Sequence, residues 1–176
     1  MRGRRARPED AVAVHRLIAH YAAEGLLLPR TEVEIYAHIG RFLVFVEPAS
    51  AASTDRLLGC VALEPYGPDL AEIRSLAVDP QICGRGLGAR LLRFALAVAR
   101  RRKVARVFAV THAPKFFNRQ GFQTLSRQAL PEKLDRDCRT CPKSPTCELV
   151  AVIATVCPER VMLPVVAAAG NPVPAL

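Results

Sequence analysis

Apolar residues recur at helical spacing near the start of the chain. Val12, Val14, Leu17, Ile18, Tyr21 and Leu26 fall on one expected face of a helix that runs to about Glu24, and Gly25 is placed to close it. Pro8-Glu9-Asp10 lead into it, with proline tolerated in a first turn and acids favourable at the positive helix end. Arg4 to Arg7 leaves room for a short strand before that. Thr31 followed three residues later by Glu34 is a capping box, which predicts a second, short helix through Ile39 that Gly40 ends.

From there the pattern changes to β-branched and aromatic runs. Phe42 to Val46 and Leu57 to Leu63 read as a hairpin-like pair around a Pro-Ala-Ser loop, Pro48 to Ser53, and Leu70 to Val78 as a further strand that Pro80 stops. Gly84, Gly86 and Gly88 open a strong helix whose Leu87, Leu91, Leu92, Ala95, Leu96 and Val98 share a face. Val104 to Val110 is the next strand and Pro114 to Gln120 a short helix broken by Gly121. Phe122 to Leu125 and Leu149 to Ala154 are the closing strands, separated by a Cys- and Pro-rich stretch. Antiparallel hairpins combined with a strand-helix-strand crossover predict an α/β fold, one mixed sheet with helices on both faces. The expected domain spans residues 1–160, with a Cys-rich insertion at 137–148 and an apolar tail at 161–176.

Length and charge narrow the partners. The 176 residues suit one domain with a full core. Basic residues number 25 against 16 acidic, a formal charge of +9, which invites anions. All but Lys103, Lys115, Lys133 and Lys143 are arginines, they are scattered, and there is no Trp to stack on bases; nucleic acid is not expected as the main ligand. No apolar run approaches the ~18 residues of a membrane span. Arg4-Arg5 is followed by Pro8, Glu9 and Asp10 where an export signal needs an apolar core, so a cytoplasmic location is expected, and with it thiols or a metal, not disulfides.

The most informative stretch is Ser75-Leu76-Ala77-Val78-Asp79-Pro80-Gln81-Ile82-Cys83-Gly84-Arg85-Gly86-Leu87-Gly88. A buried strand feeds a loop of small residues that opens directly onto a helix, so backbone N–H groups and the positive helix end converge, which suits a pyrophosphate. A P-loop fails because no Lys-Ser/Thr follows; a dinucleotide-binding fingerprint is weak in mid-chain after a hairpin. The stretch resembles the GNAT superfamily of acetyl-CoA-dependent N-acetyltransferases, whose signature is Q/R-x-x-G-x-G/A opening a helix. Aligned on Val78 and Pro80, the Q/R position falls on Cys83, a departure, and the glycines on Gly86 and Gly88. Gln81, Gly84 and Gly86 fit the same spacing two residues earlier. Phe116-Phe117-Asn118-Arg119-Gln120-Gly121-Phe122 is similar to the family's short helix with its G-F ending.

Within that superfamily, Ala71-Glu72-Ile73-Arg74-Ser75-Leu76-Ala77-Val78, Leu28-Pro29-Arg30 and Leu130-Pro131-Glu132-Lys133 resemble the short-form N-acetylglutamate synthases, which lack the amino-acid-kinase domain of the long enzymes. The resemblance implies acetyl transfer from acetyl-CoA to the α-amine of L-glutamate, the first step of arginine biosynthesis. It implies Glu72 as proton acceptor, the Leu76 backbone N–H as oxyanion donor and Thr111 as proton donor to the thiolate. Cofactor contacts would come from Leu76, Ala77, Val78, Cys83, Gly84, Arg85, Gly86, Leu87, Gly88 and Phe117, and substrate carboxylate contacts from Arg30, Arg74, Arg139 and Lys143. Arg85, Arg90 and Arg119, by their expected proximity to the loop, are candidate phosphate contacts. Glu72 and Arg74, two apart on a strand, share a face and are equally readable as a salt bridge.

Cys138, Cys141 and Cys147, with Cys157 as a candidate fourth ligand, admit a structural zinc site or free thiols that pack the insertion. Other readings are a transferase for another amine, such as a different amino acid or a protein N-terminus, and a non-catalytic acyl-CoA-binding or zinc-dependent interaction module. A homodimer is compatible with all of them.

Overall fold

The computed structural model describes residues 1–49, 55–141 and 146–160. In chain order it contains β1 (Arg2–Arg5), α1 (Ala11–Ala23), α2 (Glu32–Ala37), β2 (Phe42–Glu47), β3 (Arg56–Pro65), β4 (Leu70–Val78) and α3 (Leu87–Arg101). β5 (Arg106–Thr111), α4 (Pro114–Asn118), β6 (Gln123–Leu125), α5 (Pro131–Lys133) and β7 (Val150–Thr155) complete it. All seven strands join one sheet in the order β1-β2-β3-β4-β5-β7-β6, antiparallel except where β4 meets β5. This is the mixed α/β sheet that the pattern predicts. Much of the loop expected at Pro48 to Ser53, the whole stretch Val161 to Leu176, and Lys143 lie outside the described residues.

The period-2 alternation of the strands divides the core between the faces. Leu43, Phe45, Val61, Leu63, Ala71 and Ile73 point to α3, whose Leu91, Leu92 and Ala95 are fully buried against them. Truncating either leucine to alanine costs about 2–5 kcal/mol. Phe42, Val44, Val46, Cys60 and Ala62 point the other way, to α1 and α2. A third apolar group, Tyr66, Leu70, Phe108, Leu130 and Ala151, lies beneath the start of α5.

Helix ends follow the local chemistry. The Thr31 hydroxyl accepts from the Glu34 N–H at 3.2 Å while the Glu34 carboxylate accepts from the Thr31 N–H at 2.8 Å, so the capping box is formed as expected. α2 ends at Ala37, earlier than Ile39, because a 3-10 turn at Ile39–Arg41 takes over. In α1 the buried stripe is Ala11, Val14, Leu17 and Ile18, with Tyr21 half-buried; Val12 is 41% exposed and Leu26 lies beyond the helix. The edge strand begins earlier than the sequence suggests, at Arg2, since Arg2 to Arg5 pair with Val46 to Leu43. Its Arg4 guanidinium donates to the Asp10 carboxylate at 2.6 and 2.9 Å, and the Arg7 N–H adds a third bond at 2.7 Å, which ties β1 to the start of α1.

Candidate active site

β4 and β5 part company half-way along. They pair only over Leu70–Arg106, Ala71–Val107 and Glu72–Phe108; beyond that β4 stays with β3, whereas β5 runs with β7. A wedge therefore opens between Ile73–Val78 and Ala109–Thr111. On its β4 side the ladder slips, because Cys60 faces Ala77 and Ala62 faces Arg74, so Val61 stands opposite two residues, Ser75 and Leu76. This is a β-bulge, with Ser75 at φ +49°. A non-glycine residue in that region costs about 1–2 kcal/mol. The bulge inverts the alternation: Ala71 and Ile73 belong to the α3 side, yet Ala77 belongs to the α1 side.

At the wide end of the wedge sits the glycine loop. The Asp79 carboxylate accepts from the Gln81 N–H at 3.0 Å and from Arg56 at 2.7 Å, which fixes the turn after β4. Gly84 and Gly86 have φ of +80° and +73°, so the turn needs glycine there. The Arg90 N–H makes the first helical bond of α3, to the Gly86 carbonyl at 3.2 Å, and the amides of Leu87, Gly88 and Ala89 are left at the positive helix end. They face a cleft of about 410 Å³ lined by Val78, Cys83, Gly84, Gly86, Phe116 and Arg119, among others. Cys83 is exposed there and its sulfur lies 3.3 Å from the Tyr21 hydroxyl, which itself donates to the Val78 carbonyl at 2.6 Å. Burial and the neighbouring Cys83 raise the Tyr21 pKa, so this phenol stays a donor.

Two expectations for this cleft are corrected. Phe117 is buried in the α3-side core against Phe122, and its neighbour Phe116 forms the cleft wall, because a one-residue step on a short helix turns the side chain by about 100°. Arg85 lines a second cleft of about 400 Å³ with Arg56, Arg90 and Glu47, on the β2–β3 side of the loop.

Beside the narrow end of the wedge, on the α1 face, two carboxylates oppose each other. Glu64 of β3 and Glu72 of β4 are register partners, each 3% exposed. Buried like charges survive only with cations around them. Glu64 accepts from Arg41 at 2.5 Å and from Arg136. Burial alone would raise the Glu64 pKa, but these two guanidinium bonds outweigh it and hold it below the ordinary value. Glu72 accepts from Arg74 at 2.5 Å, from Lys133 at 2.9 and 3.0 Å, and from the Tyr66 hydroxyl at 3.0 Å.

Asp137 closes the cluster. One of its oxygens accepts from Lys133 at 2.6 Å and from Arg74, and it shares with Glu72 the single proton of the Tyr66 hydroxyl. Burial raises the Tyr66 pKa, and so does the Glu72 charge; the same burial, aided by Arg74, lowers that of Lys133. Arg30 flanks the group. Burial first, then Arg74, lowers its pKa, and among the described residues it makes no hydrogen bond or ion pair. Tyr66, Lys133, Arg136, Glu64, Arg41 and Asp137 were not foreseen as site residues. The local signals are the Leu130–Lys133 motif, which carries Lys133, and the alternation Cys60, Ala62, Glu64, which puts Glu64 on the face of Glu72 once the β3–β4 register is known.

Residues 13–122 match the acetyltransferase (GNAT) family. The chain belongs to the GNAT acetyltransferase family. It is 37% identical over 153 residues to an uncharacterized N-acetyltransferase of Chlorobaculum tepidum, covering 87% of this chain and 95% of that one. It is 36% identical over 138 residues to an amino-acid acetyltransferase of Mycobacterium tuberculosis, covering 78% of this chain and 77% of the relative. Among solved structures, N-acetylglutamate synthase from Neisseria gonorrhoeae complexed with coenzyme A and N-acetyl-glutamate superposes with a TM-score of 0.77 at 30% identity. That similarity covers 88% of this chain and 35% of the gonococcal one.

The remaining site residues of this GNAT acetyltransferase are dispersed. Thr111 ends β5 on the far bank of the wedge, where its hydroxyl accepts from the Ala113 N–H at 3.0 Å and keeps its own proton for donation. Arg139 turns away: it is 76% exposed and pairs with Asp135 at 2.8 Å. The zinc expectation is not supported, since among the described residues no three His, Cys, Asp or Glu side chains converge as ligands. Cys138 and Cys141 lie on the turn after α5, whereas Cys157 is buried on the α3 side of the sheet with its thiol toward the Arg100 carbonyl. The Cys147 carbonyl accepts from Arg127. No helix among the described residues is long and apolar enough to cross a membrane.

Proposed function

We propose that this acetyltransferase moves the acetyl group of acetyl-CoA to the α-amine of L-glutamate. The observation that carries the reading is the charge of the cluster at the wedge. Arg30, Arg41, Arg74, Lys133 and Arg136 gather around Glu64, Glu72 and Asp137, with Glu34 also acting on Arg30, so cations outnumber acids. That excess suits an acceptor that carries carboxylates. A mycobacterial relative named amino-acid acetyltransferase and a gonococcal synthase bound to N-acetyl-glutamate support the same choice.

The loop amides at Leu87, Gly88 and Ala89 would hold the pyrophosphate of acetyl-CoA, with Phe116 and Arg119 on the opposite wall and the acetyl end directed into the wedge. Arg30 and Arg74 would take the glutamate carboxylates, for which the guanidinium fork is suited. As those carboxylates draw Arg74 and Lys133 away, the Glu72 oxygens become free to accept the ammonium proton, which they pass to solvent. The amine nitrogen then bonds to the acetyl carbon. The bulge supplies the Leu76 N–H, a residue without a ladder partner on β3, to the carbonyl oxygen as it becomes negative. The C–S bond breaks, the nitrogen gives up its second proton to water, and the Thr111 hydroxyl protonates the thiolate while recovering that proton from water, so that one proton in all is released to solvent.

Thiol release from acetyl-CoA, followed across the single amino acids with the full chain, tests this. Glutamate should accelerate release at millimolar concentration, and Arg30→Met should raise its KM by about tenfold or more with little change in the KM for acetyl-CoA. Acceleration by a different amine and none by glutamate would assign the site to that amine.

A further inference from the structure

The turn that follows α5 carries its own carboxylate into the cationic pocket. Pro131–Lys133 continues without a break into a π-helical turn, Leu134–Cys138. Such wide turns are rare and are found frequently at functional sites. Of this segment's side chains, Lys133 and Asp137 reach the Glu72 cluster, while Arg136 reaches Glu64 and the Pro65 carbonyl at 2.8 Å and lies 4.3 Å above the Tyr66 ring. Apart from Leu130 at its root, which is buried with Phe108, the attachments are charged or polar.

Asp137 stands out among them. Two cations, Arg74 and Lys133, and the Tyr66 hydroxyl, whose one proton lies between this carboxylate and Glu72, converge on a single oxygen of a side chain that is still 27% exposed. This is the donor set that an acceptor's carboxylate requires, and it is filled from within the chain. Arg30, half-buried and within electrostatic reach of Arg74, Glu64 and Glu34, makes no hydrogen bond or ion pair among the described residues.

We propose that Asp137 is an internal stand-in for one substrate carboxylate and acts as the specificity-determining residue of the acceptor pocket. With Asp137 seated, one cationic place is occupied and the other, at Arg30, is open. An acceptor must bring a second carboxylate to exchange for Asp137; an amine without one binds at Arg30 alone and leaves Glu72 held by Arg74 and Lys133. No bond is made or broken in the exchange, which is a swap of one anion for another at fixed cations. The inference rests on the glutamate reading, and a chain in which the pocket is mostly self-occupied binds its acceptor more weakly by the open fraction.

Asp137→Asn and Asp137→Ser, two neutral variants of different size, are compared with Asp137→Glu, which keeps the charge. Each is measured by thiol release with glutamate and glutamine, and by calorimetric titration with glutarate, a dicarboxylate that lacks the amine. Both neutral variants should lower the KM for glutamate and the Kd for glutarate by about fivefold or more, with kcat changing less than KM. They should also narrow the preference for glutamate over glutamine, and Asp137→Glu should stay near the parent. Unchanged or weaker glutarate binding in folded neutral variants, with glutamate still the substrate of the parent, overturns the inference alone and leaves Asp137 as a clasp for its segment. A parent that neither acetylates glutamate nor binds glutarate overturns the glutamate reading and the inference together.

Discussion

Replacing Glu72 by glutamine separates a proton acceptor from a mere anchor. The carboxylate accepts from Arg74 at 2.5 Å, twice from Lys133 near 3 Å, and from Tyr66 at 3.0 Å, in a site 3% exposed. Breaking a buried ion pair on one side costs about 3–5 kcal/mol, and because Arg74 and Lys133 keep Asp137, about half of that, near 2 kcal/mol, is expected here. For a chain of this length that lowers Tm by about 4–8 °C. The kinetic consequence is larger: loss of a general base slows chemistry by about 10²–10⁴, so kcat with saturating glutamate should fall by at least about a hundredfold. An anchor that only fixes Arg74 would lose one charge-assisted hydrogen bond, about 1.5 kcal/mol, and would appear as a roughly tenfold rise in KM. Melting by circular dichroism establishes that the variant is folded, and thiol release at saturation reads kcat. A Glu72→Gln protein that retains kcat within about threefold of the parent would refute the proton-transfer role and leave the cage as a structural device.

Gly86→Val places a β-branched residue at φ +73° in the mouth of the cleft and should cost about 1–2 kcal/mol in urea unfolding. It should also raise the KM for acetyl-CoA, by about tenfold; a normal KM would remove the loop from cofactor binding. Asp10 governs acid stability. Burial tends to raise its pKa, but bonds from Arg4 and Arg7 prevail and hold it below the 3.8 of a free side chain. Its contribution is thus complete above about pH 4 and disappears as pH falls through the depressed folded value. Asp10→Asn should cost about 2 kcal/mol at neutral pH and flatten the loss of stability below about pH 4; an unchanged slope in chemical denaturation would contradict this.

What the sequence makes legible here is whatever local chemistry decides. The capping box at Thr31 and Glu34, the apolar face of α3 and the turn glycines need only neighbours within one or two turns of chain. Ser75 shows the limit, since a serine gives no hint of a left-handed backbone, and the bulge exists because β3 and β4 continue pairing on both sides of it. The cage around Glu72 is illegible for a different reason: Tyr66, Lys133 and Asp137 are up to 71 residues apart and meet only through the sheet register and the path of α5. Phe116 and Phe117 were confused because a short helix offers too few residues to set its phase. Cysteine spacing suggested zinc, yet the sheet itself stands between Cys157 and Cys138.

The extra residue in β4 works as a half-step in a two-beat rhythm. Before it, Ala71 and Ile73 sit with Leu91; after it, odd-numbered Ala77 sits with Val44 and Cys60, and Leu76 and Val78 pack toward the α3 side instead. Both halves of the strand are therefore spelled for opposite sides of the sheet. Shortening β4 by one residue at Ser75 would leave both cores with their present occupants, since Leu76 would simply face Val61, Ala77 would stay beside Cys60, and Val78 would keep to the α3 side. What the cut would erase is the syncopation itself: the left-handed Ser75 and the unpaired amide at Leu76, at the gap where two substrates are expected to meet.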